Sequence, residues 1–114
     1  MIKSLKKKPE NHFEHLPDDY LWFKLFNRNY IYAFLGIQII GSLCAIHLEI
    51  IKWNHFILKE LKNDWLQVKD FCKCKGCLSI IASNSDLSDN RWPRFIKYFD
   101  FPYPSNVLIS KQEL

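Results

Sequence analysis

Glycine is scarce in this chain, with Gly36, Gly41 and Gly76 the only three in 114 residues. So few glycines exclude the Gly-rich loops that cradle phosphates in nucleotide-triphosphate and dinucleotide sites, and also exclude flexible linkers and collagen-like repeats. His12, His15, His47 and His55 form no HExxH pair, and no Gly-x-Ser-x-Gly elbow occurs, so standard hydrolase chemistry has no motif to rest on. Charge of one sign is not in large excess either. Sixteen Lys plus Arg against twelve Asp plus Glu leave +4, too mild and too weakly clustered for a nucleic-acid footprint. The basic stretch 1–9 is not followed by an apolar run or a small-residue cleavage site, so no secretion is expected. Lys111-Gln112-Glu113-Leu114 then has no lumen in which to act as a retention signal. Cysteines that could staple a fold are missing as well: Cys72, Cys74 and Cys77 stand too close together and Cys44 lies in an apolar stretch, which reads as free thiols in a reducing, cytoplasmic setting. Zinc held by those three with His47 or His55 would need knuckle spacing and a second distant pair; neither is present, and no metal is expected.

What is abundant is aromatic and apolar surface. Nine Phe, five Tyr and four Trp within a 48% hydrophobic composition imply a chain that collapses around a real core, in a length that fits one domain. Residues 1–16 are charged and irregular and read as a flexible basic arm, leaving 17–114 as the single domain. Residues 30–48 carry no charge over a run of about 19, the window used to search for membrane helices. Gly36, Gln38, Gly41, Ser42 and His47 interrupt the run, lysines flank both ends, and its Ile, Tyr and Phe suit pleated strands, so buried strands are the expectation and a single membrane span the competing one. In the strand reading, 30–35 is one strand, Gly36-Ile37 the turn, and 38–51 one long or two short strands.

Around this hairpin the pattern is helical in three places. Asp18 or Asp19 can cap a short helix over 20–27, with Leu21, Trp22, Leu25 and Phe26 on its buried face. Leu58, Leu61, Trp65, Val68 and Cys72 step by three and four residues through 54–75, an amphipathic helix with Asn54 as N-cap and Gly76 as left-handed stop. Trp92, Phe95, Ile96 and Phe99 make a third stripe behind an Asp89 or Asn90 cap. Strands are expected at 77–82 and at an edge, 107–109. The class is therefore α+β: one mixed, mostly antiparallel sheet with flanking helices, its crossover made by the long helix.

In that order of elements the chain resembles the GNAT superfamily of acyl-CoA-dependent N-acetyltransferases, in its short, divergent bacteriophage form, including an internal virion protein type. Residues 30–41 look like the family's central hairpin, 54–75 like its long helix, 78–84 like the next strand and 89–101 like the helix that ends in a Gly-Phe pair. The resemblance implies acetyl-CoA as cofactor and an amine as acceptor, with Glu49 as base on the strand and Tyr98 as a displaced acid. It implies that Lys52, Asn54, His55, Phe56 and Ile57, together with Asn84 and Asn90, hold the acyl-CoA. The chain departs from the family where a basic Gly-rich turn should precede the long helix, at 51–54, where Ile96 takes the place of an acidic Tyr, and where Asp100 replaces the usual Gly. At the bare N-terminus of the long helix the free amides of 54–57, with Lys52 beside them, still form an anion site. Two further functions follow from the same residues: a non-catalytic phage accessory or virion protein binding a phage or host protein through its aromatic surface, and a small protein spanning a membrane over 30–48. Neither nucleic acid nor a membrane is an expected partner, and the expected location is the cytoplasm of an infected host cell or the virion.

Overall fold

The computed structural model describes residues 1–52, 54–83 and 109–113. These form β1 (Ile2–Leu5), β2 (Leu21–Phe26), β3 (Ile31–Ile40), β4 (Leu43–Ile50), α1 (His55–Cys74), β5 (Ser79–Ser83) and β6 (Ile109–Glu113). The six strands make one sheet in sequence order. Every neighbouring pair is antiparallel except β4 and β5, which run parallel from Leu43↔Ser79 to His47↔Ser83. A parallel pair needs a long crossover, and α1 supplies it.

The helix forms where its periodicity places it. Asn54 is extended and its side chain accepts from Ile57 N–H at 3.0 Å, and Ile57, Leu61, Trp65, Val68 and Cys72 are buried along one face. At the far end Gly76 takes φ +83°, and the amides of Gly76 and Cys77 bond back to the Lys73 and Cys72 carbonyls at 3.0 Å. The helix packs on one face of the sheet against Phe23, Leu25, Leu35, Ile37, Cys44 and Ile46.

Four expectations change. Residues 20–27 are not a helix: Leu21–Phe26 is β2, because Phe23 and Leu25 alternate toward α1 while Trp22 packs on the opposite face, and a strand buried on both faces mimics a short helical stripe. Gly36 is not the turn but lies inside the ten-residue β3, opposite Trp22. The reversal comes at Gly41, whose φ of +59° suits a residue without a side chain. Residues 2–5, read as part of an irregular arm, pair with β2 from Ile2↔Leu25 to Leu5↔Trp22. The C-terminal edge strand is Ile109–Glu113, later than the expected 107–109. The expected third helix lies outside the described residues. No helix among the described residues is long and apolar enough to cross a membrane, and the uncharged run 30–48 is spent on β3 and β4.

One irregularity ties helix to sheet. Leu25 pairs with Ala33 but Phe26 with Ile31, so Tyr32 is the extra residue of a bulge. The bulge lets Tyr32 point into the α1 core beside Ala33 rather than away from it, and its hydroxyl donates to the buried Asp64 carboxylate of α1. Burial first, and Asp64 second, push the Tyr32 hydroxyl far above its ordinary pKa. Asp64, 3% exposed, also accepts from the Met1 ammonium at 2.8 Å.

Candidate active site

Two places near the C-terminal end of β4 gather the candidate functional residues. The first is the junction of β4 with α1. Within the described residues the β4–β5 pairing runs from Leu43↔Ser79 to His47↔Ser83, and β4 continues to Ile50. Beyond Ile50 the chain enters α1. Asn54 spends its side chain on Ile57 N–H, so the first-turn amides that this cap does not engage are those of His55 and Phe56, both exposed residues. No acidic side chain stands in that first turn to offset the positive end of the helix dipole. The Lys52 ammonium lies 4.2 Å from the centre of the Tyr30 ring at the same junction. Lys52, Asn54, His55, Phe56 and Ile57 follow one another through this junction along the chain, and Asn84, Asn90 and Tyr98 lie outside the described residues.

The second place is the sheet face turned away from α1. Register sets Leu5, Trp22, Gly36 and His47 in one row across β1 to β4, and Lys3, Lys24, Phe34 and Glu49 in the next. Residues 8–20 fold over these rows. Phe13 stacks on Trp22 at 5.4 Å and Tyr20 on Trp22 at 5.5 Å, while Tyr20 lies 5.6 Å and His15 6.3 Å from His47. Lys8 pins the segment by donating to the Leu16 carbonyl at 2.7 Å and pairing with Asp18 at 3.0 Å. Asn11 and Phe13 both adopt positive φ, 64° and 56°, a conformation unfavourable for a bulky residue that the packing of Phe13 against Trp22 offsets.

Between those two strained residues, His12 reaches the sheet. Its Nδ1 lies 2.8 Å from Glu49 Oε1 and its ring 4.7 Å from Phe34. An open cleft of about 470 Å³ lies beside it, lined by the apolar Leu5, Pro9 and Phe34, by His12, and by the charged Lys6, Lys7, Lys8 and Glu10. Burial, and then the neighbouring His15, lower the pKa of His47. Glu49 was legible as a titratable group on a strand; His12 was not, because the charges of 1–16 suggest a solvated arm. Phe13 and Leu16 within that arm were the signal that it packs.

The cysteines are all free thiols, and Cys44, Cys72 and Cys77 are buried together while Cys74 is exposed. Cys44 and Cys77 sulfurs lie 3.0 Å apart, and burial pushes the Cys44 and Cys72 thiols upward. Among the described residues no group of three or more His, Cys, Asp or Glu side chains is arranged to hold a metal ion.

No protein-family model matches the chain, and no curated protein matches it. Its fold is similar to that in the crystal structure of PaiA N-acetyltransferase from Thermoplasma acidophilum in complex with coenzyme A, with a TM-score of 0.61 and 18% sequence identity. The similarity covers 84% of this chain and 62% of that one, so this chain spans somewhat less than two thirds of that protein's length. The fold is GNAT-like: a mixed sheet in one domain, with a helix crossing between its parallel strands.

Proposed function

We propose that the protein binds an acyl-coenzyme A and transfers its acetyl group to an amine. The observation that carries this reading is the β4–α1 junction, where β4, the strand that pairs in parallel with β5, leads into the N-terminus of a helix with no acidic side chain in its first turn and with the His55 and Phe56 amides not engaged by the Asn54 cap. A pyrophosphate fits such a place: His55 and Phe56 amides donate, Lys52 supplies the positive charge that a Gly-rich loop would otherwise concentrate, and Asn54 holds the turn in shape. Asn84 and Asn90 are assigned to the same ligand by resemblance, and Tyr98 to protonation of the leaving thiolate. The coenzyme supplies an activated thioester; Glu49, at the end of β4, belongs to the side that removes a proton from the amine. The phage-type origin, with a location in the infected cell or the virion, is part of this proposal.

A second reading has its own observation. Phe56 is 75% exposed and Leu66 59% exposed on α1, and no Gly-rich turn precedes the helix, which favours a scaffold that binds a phage or host protein without catalysis. Calorimetric titration with coenzyme A separates the two, followed by thiol release from acetyl-CoA in the presence of amines. Under the first reading wild type binds coenzyme A and Lys52→Glu loses that binding with an unchanged melting temperature. Wild type that binds no coenzyme A refutes it.

A further inference from the structure

We infer that the cleft walled by Leu5, Pro9, His12 and Phe34 receives the acceptor amine, that His12 Nε2 takes its proton, and that this amine carries an anionic group elsewhere in the molecule. The inference rests on the acetyltransferase reading for the reaction, but the cleft and its selectivity stand on geometry alone.

Glu49 is not presented to the cleft as a bare base. Its Oε1 is engaged by His12 Nδ1 at 2.8 Å, so a proton on Nδ1 is the one shared with the carboxylate and the lone pair falls on Nε2. Oriented in this way, the imidazole is the proton acceptor and Glu49 a positioning residue that acts through it, with Phe34 supporting the ring at 4.7 Å. Both stand at the C-terminal end of β4, the end from which the chain runs into Asn54 and the proposed phosphate site.

The walls select the ligand. Leu5, Pro9 and Phe34 are apolar and suit a short hydrocarbon stem. Among the charged groups lining the cleft, Lys8 is neutralised by Asp18, whereas Lys6 and Lys7 are exposed and have no ion-pair partner among the described residues. Lys3 and Lys24 extend the positive charge along the row that leads to Phe34 and Glu49. Glu10 on the lining and the Glu49 carboxylate behind His12 are the acids on the opposite side of this balance. A polyamine would meet these lysines as like charges, whereas an amine bearing a carboxylate or phosphate would meet them as partners. In the reaction the neutral amine nitrogen attacks the thioester carbonyl carbon and the C–S bond breaks with its electron pair on sulfur. The nitrogen proton passes to His12 Nε2 and on to solvent, and the thiolate takes one proton, through Tyr98 as assigned above and ultimately from solvent, giving amide and free coenzyme A.

The test uses γ-aminobutyrate and butylamine, which share a stem and an amine and differ in the carboxylate. His12 ring signals, assigned by comparison with His12→Gln, are followed by NMR as each is added. γ-Aminobutyrate should shift them at about fivefold lower concentration or less, and Lys6→Glu with Lys7→Glu should erase the difference. In turnover, His12→Ala should lower kcat about a hundredfold with the amine KM nearly unchanged, and added imidazole should restore it. Glu49→Ala should lower kcat without rescue by imidazole, and the double variant should be no worse than the worse single one. Equal shifts by the two amines overturn the selectivity, and wild-type kcat in His12→Ala overturns the proton role. If wild type neither binds coenzyme A nor releases thiol, the acetyltransferase reading falls, and the NMR comparison still decides whether the cleft takes an anionic amine.

Discussion

Replacing Gly36 by alanine tests the back face of the sheet. A Cβ built at Gly36 lies 2.6 Å from Trp22 Cζ3 and 3.1 Å from Cε3, so the indole must retreat to at least the 3.4 Å already found at Cη2. Trp22 is only 3% exposed and is stacked by Phe13 and Tyr20, so the ring has no free space into which to move. Its displacement is passed to Phe13, the residue after His12, at a backbone position already held at positive φ. Overpacking of this kind costs about 1–3 kcal/mol, and for a chain of this size each kcal/mol lowers Tm by about 4 °C. Urea unfolding should show a lower midpoint with an unchanged m-value. Trp22→Phe, which gives up part of the indole, should partly restore Gly36→Ala, so that the double variant is more stable than the sum of the singles allows. A Gly36→Ala protein as stable as wild type, or strict additivity with Trp22→Phe, would show that Trp22 does not rest on Gly36.

Three further outcomes follow from the core. Trp65→Ala should cost about 3–5 kcal/mol, enough to unfold a domain this small, and a folded variant by circular dichroism would mean that the buried face of α1 is assigned wrongly. His47 has its folded pKa below the unfolded 6.5, so the unfolded state binds the proton more readily; stability is full above that pH and falls as pH drops below it toward the folded value. His47→Gln should flatten that part of the stability-pH curve measured by urea titration, and an unchanged slope refutes the assignment. Cys74 should be alkylated by maleimide in the native protein while Cys44, Cys72 and Cys77 react only on unfolding, counted by mass spectrometry; more than one rapid adduct would contradict the buried placement of the other thiols.

The readable elements were those whose signal is local. Asn54, the stripe from Leu58 to Cys72 and Gly76 define α1 without help from the rest of the chain. β2 is not legible in this way because Leu21, Trp22, Leu25 and Phe26 satisfy helical spacing, and only pairing with β1 and β3, with apolar cover on both sheet faces, makes them a strand. Gly36 looked like a turn for the same kind of reason: its small size serves a ring that arrives from another strand, a contact invisible along the sequence. In the site, Glu49 and the α1 N-terminus were legible as residue types at element ends. His12 was hidden because its role depends on residues 8–20 folding back over β4, which the charge pattern of 1–16 argues against.

The Tyr32 bulge has a consequence for alignment along the helix axis. A purely apolar interface resists separation more than sliding, since Leu61, Trp65 and Val68 would find hydrocarbon again after a shift of one turn, about 5.4 Å. The hydroxyl of Tyr32 and the carboxylate of Asp64 have no such second solution, because a slipped helix would leave a buried donor and a buried charge without partners. Bulge and helix therefore act as a detent that fixes how far α1 projects, and with it how far the His55 and Phe56 amides stand from the last residues of β4.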